Sequence, residues 1–311
     1  MAFPKIYGLR TRLFMYRARL IPNYLKHRYW EYLSKKLTKY YDIAPPLPKN
    51  VFFESRTRCN GRCKFCPASV GNDPRKDNIM PEETFRKVID ELAELNFNGL
   101  VGLWNNNEPL LDKRIVKFVK YASEKLPDAN IAITTNGILL TPELGRKLLD
   151  AGLKTLHVDN YSDECIVRKN IKEFMDKVAK DFPDRTIILK ERFESEKLKN
   201  LAGWSPNKRG PVYLKAFCRY PFTDFIITTN GNVGLCCNDF LFQEVMGNVN
   251  KQSVIEIWNG DRFKFVRKKL LECDRSFSPL CSKCDSSFSY DEAHFFDPLN
   301  RFIFKYLIGI Y

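Results

Sequence analysis

From residue 51 onward the chain switches repeatedly between two hydrophobic rhythms. Short runs rich in apolar residues at 51–55, 99–104, 131–135, 155–159 and 186–190 have the length of buried strands. Between them the apolar positions fall at helical spacing. Met80-Pro81-Glu82-Glu83 opens a helix with Pro in its first turn and acids at its positive end. Phe85, Val88, Ile89, Leu92 and Leu95 then form one apolar face. Further helices are predicted over 113–126, from Thr141-Pro142-Glu143 to about Ala151, and over 170–181. A sixth strand is expected within 212–217. Repeated strand–helix units imply a parallel sheet with helices outside, and five or six units predict an α/β fold: a partial barrel, not a closed eightfold one. Active sites of such folds lie at the C-terminal strand ends. After residue 218 the pattern changes. Asn230-Gly231 between two apolar runs signals a hairpin, and Ser253 with Glu256 forms a capping box before a short helix.

Charge adds a second layer. The chain has 311 residues and a formal charge of +14. Residues 1–50 hold eleven Lys or Arg against Glu31 and Asp42, so this arm carries +9 of it, with ten aromatics interspersed. Residues 302–311 are again aromatic and basic. Such ends suit a membrane interface, nucleic acid or an anionic substrate, or simply helices packed on the main domain with solvated Lys and Arg. No apolar run is long enough to span a bilayer, and the first twenty residues lack the apolar core of a signal peptide. A cytoplasmic location follows as the expectation, with peripheral membrane contact through the basic ends. Ten cysteines in a reducing compartment then point to metal or catalysis rather than disulfides.

The cysteines sort into sets. Cys59, Cys63 and Cys66 follow the first strand, where its end would face a barrel's active site. Three closely spaced thiolates can ligate three irons of a cubane cluster and leave the fourth open. Gly61 lets that loop fold tightly. The competing reading is zinc, with Cys63 and Cys66 joined to Cys281 and Cys284, in a zinc-stabilised nucleic-acid-binding protein.

Cys-x-x-x-Cys-x-x-Cys after a first strand resembles the radical S-adenosylmethionine (SAM) enzymes. Their Gly-Gly-Glu-Pro-like segment, which holds the amino group of SAM, corresponds to Asn106-Asn107-Glu108-Pro109, with the glycines replaced. Their Thr-Asn-Gly after the third strand corresponds to Thr135-Asn136-Gly137. The polar residue that reaches the ribose or carboxylate of SAM corresponds to Asp159 or Asn160. The C-terminal part resembles the auxiliary-cluster extension called SPASM or its shorter form, Twitch. Cys218, Cys236, Cys281 and Cys284 are the four ligands that this likeness implies for one further 4Fe-4S cluster; Cys237 could replace Cys236, but position in the family's pattern favours Cys236. The implied organisation is a basic aromatic arm (1–50), a partial barrel (51–217), a small iron–sulfur auxiliary domain (218–290) and an aromatic tail (291–311).

The resemblance implies SAM and two 4Fe-4S clusters as cofactors, and an external one-electron reductant such as flavodoxin or ferredoxin. It implies a 5'-deoxyadenosyl radical that takes hydrogen from an unactivated carbon. If the auxiliary cluster accepts the remaining electron, the outcome is a dehydrogenase. The favoured substrate is a sugar, cyclitol or glycan precursor, anionic or lipid-linked in view of the charge. A peptide-modifying enzyme and an epimerase stand as alternatives, the latter with Cys237 as a candidate hydrogen donor. Candidate groups to handle the substrate proton are Glu191, Arg192 and Glu194 after the fifth strand, and Asp224.

Overall fold

A computed structural model describes residues 45–197, 200–207 and 217–286. The basic arm up to residue 44, the tail from residue 287 and all but the last residue of the sixth-strand expectation at 212–217 lie outside the described residues.

Each apolar run becomes a strand and each helical stretch a covering helix. In chain order these are β1 (Asn50–Phe53), α1 (Glu82–Glu94), β2 (Leu100–Gly102), α2 (Ile115–Lys125), β3 (Asn130–Thr135), α3 (Pro142–Asp150), β4 (Thr155–Tyr161), α4 (Lys169–Lys177) and β5 (Thr186–Arg192). The C-terminal part adds α5 (Tyr220–Thr223), β6 (Asp224–Ile227), β7 (Asn232–Gly234), β8 (Val245–Asn248), α6 (Val254–Trp258), α7 (Asp261–Leu271) and α8 (Pro279–Lys283). Against expectation β2 is shorter, while β4 and β5 each run two residues further, to Tyr161 and Arg192.

The strands form one sheet in the order β5-β4-β3-β2-β1-β6-β7-β8. The first six in that order are parallel neighbours; β7 and β8 are antiparallel. The sixth parallel strand is therefore β6, which sequence reasoning assigned only to a hairpin. It does form that hairpin with β7, but it also pairs with β1 from Asn50↔Asp224 to Phe53↔Ile227. The C-terminal region thus extends the main sheet. Among the described residues β5 and β8 end it, so the barrel is open.

The core lies between sheet and helices. Phe85 and Phe118, from α1 and α2, stack with ring centroids 4.3 Å apart, and Phe85 meets Phe53 of β1 edge-on at 4.8 Å. All three are fully buried, each stabilising the fold by about 1.5–3 kcal/mol. On β4, Leu156 and Val158 join this core, so the alternation of the strand turns His157, Asp159 and Tyr161 to the opposite, interior face.

Candidate active site

The loop after β1 brings Cys59, Cys63 and Cys66 together. Burial pushes the Cys59 thiol up to about 11 and the Cys63 thiol up to about 12, with the neighbouring thiols of the set adding to both. Gly61 sits inside the loop, where an added Cβ would lie 3.3 Å from Cys59 Sγ. Its amide donates to that sulfur.

Two neighbouring loops, after β2 and β3, brace this one. The Glu108 amide donates to the Arg58 carbonyl at 2.8 Å, beside Cys59. The buried Glu108 carboxylate accepts from Thr135 Oγ1 (2.6 Å), the Asn136 amide (2.8 Å) and the Leu110 amide (3.0 Å), tying the ends of β2 and β3 together. Its side chain is thereby committed to the scaffold. Asn136 Nδ2 donates to Asn60 Oδ1 at 2.8 Å and reaches Cys59 Sγ at 3.7 Å. Gly137 has φ +72°, and a Cβ there would lie 2.6 Å from Ile171 Cδ1, so only glycine fits. Asn105, Asn106 and Asn107 all keep negative φ, which explains how the loop dispenses with the family's glycines.

On the interior face of β4 and β5 lies a charged group. Arg192 approaches Asp159 Oδ2 (3.5 Å) and Tyr161 Oη (3.2 Å) and pairs with Glu196 at 2.6 Å. Its guanidinium lies 5.5 Å from the centre of the Phe65 ring, between Cys63 and Cys66. Burial works against the Arg192 charge, but Tyr161, Asp159 and Glu196 outweigh it and hold the guanidinium firmly cationic. Burial raises the Glu196 carboxyl despite Arg192.

Three of the expected residues are corrected. Asn160 and Glu191 are register partners on the other face of β4 and β5 from Asp159 and Arg192. The Asn160 amide is used up on the Ile166 carbonyl and the Arg168 backbone and side chain, and Glu191 is exposed. Asp224 starts β6 beside Asn50, at the N-terminal strand ends, away from the cysteine loop. There it accepts from Asn50 Nδ2 and Thr223 Oγ1, both at 2.8 Å. Glu194 lies near the site through its backbone, which accepts from the Lys64 amide at 2.8 Å.

The second thiol set gathers separately. Burial raises the Cys236 thiol strongly, and Cys237, Cys218, Cys284 and Cys281 add to it, so Cys236 stands among the other three expected ligands. Cys284 Sγ accepts from the Ser286 amide (3.4 Å) and Asn238 Nδ2 (3.7 Å). Buried Arg275 donates to the Cys284 carbonyl (3.3 Å) and the Phe217 carbonyl (3.1 Å). The pairing of Cys63 and Cys66 with Cys281 and Cys284 that zinc would need is therefore not the one the fold makes.

Both sets fit iron–sulfur clusters. A cubane places each ligand on a separate iron, so three or four gathered thiols suit it. Buried thiols that raise one another's proton affinity are a donor set that calls for a cationic partner. A polar ligand is also provided for: Asn105 Nδ2, Asn107 Nδ2 and Asp159 Oδ1 are buried with no hydrogen-bond partner. Two donors and one acceptor suit the carboxylate and the ribose hydroxyls of SAM.

Sequence reasoning missed Glu54, Arg75, Glu196 and Arg275. A glutamate closing an apolar strand was a visible signal for Glu54. The others lie in polar segments with no spacing of their own.

A family model of the radical SAM superfamily matches residues 54–180, and a model of the iron–sulfur cluster-binding domain called SPASM matches residues 218–285. The S-adenosyl-L-methionine-dependent 2-deoxy-scyllo-inosamine dehydrogenase of Niallia circulans is 28% identical over 233 residues, 75% of this chain and 91% of that protein. The crystal structure of BtrN in complex with AdoMet and 2-DOIA superposes with a TM-score of 0.68 at 27% identity, over 78% of this chain and 94% of that one. The GTP 3',8-cyclase of Campylobacter jejuni subsp. jejuni is 31% identical over 156 residues, 46% of this chain and 45% of the cyclase.

Proposed function

We propose, from the premise that the chain belongs to the radical SAM superfamily and carries a SPASM-type iron–sulfur region, that it is an oxidoreductase converting an alcohol carbon of a cyclitol or related sugar to a carbonyl. The observation that carries this reading is the pair of separate thiol sets in a chain whose likeness to a cyclitol dehydrogenase covers 91% of that enzyme. When bound, SAM with a 4Fe-4S cluster on Cys59, Cys63 and Cys66 supplies hydrogen abstraction from the carbinol carbon, and a second cluster on Cys218, Cys236, Cys281 and Cys284 supplies an electron acceptor. The chain's own residues do the rest. Asn107 and Asp159, with open polar atoms, orient SAM. Arg192, held cationic, donates to a substrate oxygen. Glu196, whose proton affinity burial raises, receives the hydroxyl proton.

An anaerobic assay with dithionite and a panel of aminocyclitols, sugars and peptides tests this reading. The expected result is one 5'-deoxyadenosine per carbonyl formed, on a cyclitol or sugar. Turnover with peptides alone, or 5'-deoxyadenosine without any oxidised product, would overturn it.

The reading extends to partners. A flavodoxin or ferredoxin supplies the electron that dithionite replaces. The +9 arm recruits an anionic or lipid-linked substrate at the cytoplasmic membrane face, each exposed basic side chain contributing about 1 kcal/mol. No helix among the described residues is long and apolar enough to cross a membrane. Salt-sensitive sedimentation with anionic but not neutral liposomes, lost on deleting residues 1–41, is the expected result. No binding to either kind removes the membrane part.

A further inference from the structure

The segment 105–109 touches a residue adjoining each thiol set. At one end the Glu108 amide holds the Arg58 carbonyl, one residue before Cys59. At the other, Asn106 Nδ2 donates to the Cys237 carbonyl at 3.2 Å, one residue after Cys236. The backbone of Asn106 is fixed as well. Its amide donates to Glu54 Oε2 at 3.2 Å, and its carbonyl accepts from Arg75 at 2.8 Å. A second contact follows the same line: the Arg75 guanidinium lies 4.1 Å from the centre of the Phe240 ring, four residues past Cys236. The side-chain bond of Asn106 is one that glycine cannot make, so the replacement of the family's glycine has a structural consequence of its own.

We infer that Asn106 is a positioning residue that ties the SAM-binding loop to the auxiliary-cluster segment and so keeps hydrogen abstraction coupled to product formation. The inference rests on the function proposed above. Residues 236–240 take their register from the SAM loop through Asn106, and a substrate held between the two sites is presented to both at once. Without the tether, segment 236–240 loses that register while the SAM loop keeps its brace through Glu108.

Two variants test this in the reconstituted full-length protein. Asn106→Gly restores the family residue; Asn106→Asp keeps the shape but puts an acceptor where a donor is needed. Three readouts are compared: carbonyl product per 5'-deoxyadenosine, KM for SAM, and hydrogen exchange of amides 236–244. Expected for both variants is a fall of about threefold or more in product per 5'-deoxyadenosine, with iron content and KM for SAM within about twofold of wild type. Exchange at 236–244 should rise about fivefold, the weight of one ordinary hydrogen bond. A raised KM for SAM with unchanged coupling would reduce Asn106 to a SAM contact and overturn the inference. Unchanged exchange at 236–244 would overturn it whatever the turnover. Should wild type oxidise no cyclitol or sugar, the proposed function fails, and the exchange readout still decides whether Asn106 holds the segment.

Discussion

Glu54 follows directly after β1 with its side chain 1% exposed, facing Arg75 Nη1 at 3.0 and 3.2 Å. Burial pushes its carboxyl up to about 7 from 4.5, even against the pull of Arg75. The sign of the consequence follows from proton counting. Between those two values the folded protein holds a proton that the unfolded chain has lost, so stability from this group falls as pH rises and is level above about 7. From pH 5.5 to 8 the loss is about 2 kcal/mol, taking 1.36 kcal/mol for each unit of the window crossed. Glu54→Gln removes the titration and keeps the shape. Relative to wild type its melting temperature should therefore climb with pH, by several degrees over this range. Arg75→Met should do the reverse above pH 7: the carboxylate loses its cation and remains beside Asp73, at a cost of up to about 3–5 kcal/mol. Anaerobic thermal scans of the cluster-loaded protein at both pH values measure the differences. A melting temperature of Glu54→Gln that stays level or falls relative to wild type as pH rises would refute the argument, and a constant difference would show Glu54 already ionised at pH 5.5.

The remaining predictions concern the site. Reconstituted wild type should bind about eight irons, and Cys281→Ala with Cys284→Ala about four. Cys63→Ala should abolish 5'-deoxyadenosine formation while keeping the auxiliary cluster, because the two thiol sets sit apart; iron analysis with electron paramagnetic resonance checks both. Glu196→Gln should lower kcat about a hundredfold, the usual weight of a positioned proton acceptor, with KM for SAM unchanged in steady-state assays. Arg275→Met should make the auxiliary cluster harder to reduce in a potentiometric titration, since a buried cation beside Cys284 favours the more negative, reduced state.

Much of the scaffold was legible because it rests on periodicity. The strands β1 to β5 and the face of α1 follow from which positions are apolar, and burial enforces that choice strongly. The set Cys59, Cys63 and Cys66 could be proposed from local spacing, whereas Cys218, Cys236, Cys281 and Cys284 lie far apart in sequence and were grouped through the family resemblance. What escaped depended on pairing between distant segments. No local feature of 224–227 says whether it joins β1 or stands in a hairpin alone; it does both, because both of its edges carry free backbone groups. That double pairing also disposes of Asp224 as a catalytic group, since it anchors the residue beside Asn50 at the far end of the strands.

The alternation of a strand decided the other site residues. Asp159 and Asn160 are adjacent and both polar, so composition cannot separate them; the buried Leu156 and Val158 can, because they fix which face meets the helices. The same parity places Arg192 inside and Glu191 outside, and both depend on β4 and β5 running two residues beyond the apolar run. Polar residues ended each run in the sequence without ending the strand. They continue it because Arg192 links Asp159, Tyr161 and Glu196, with Asp159 Oδ1 left open. The segment that looks least like a strand is thus the one that carries the charges into the site.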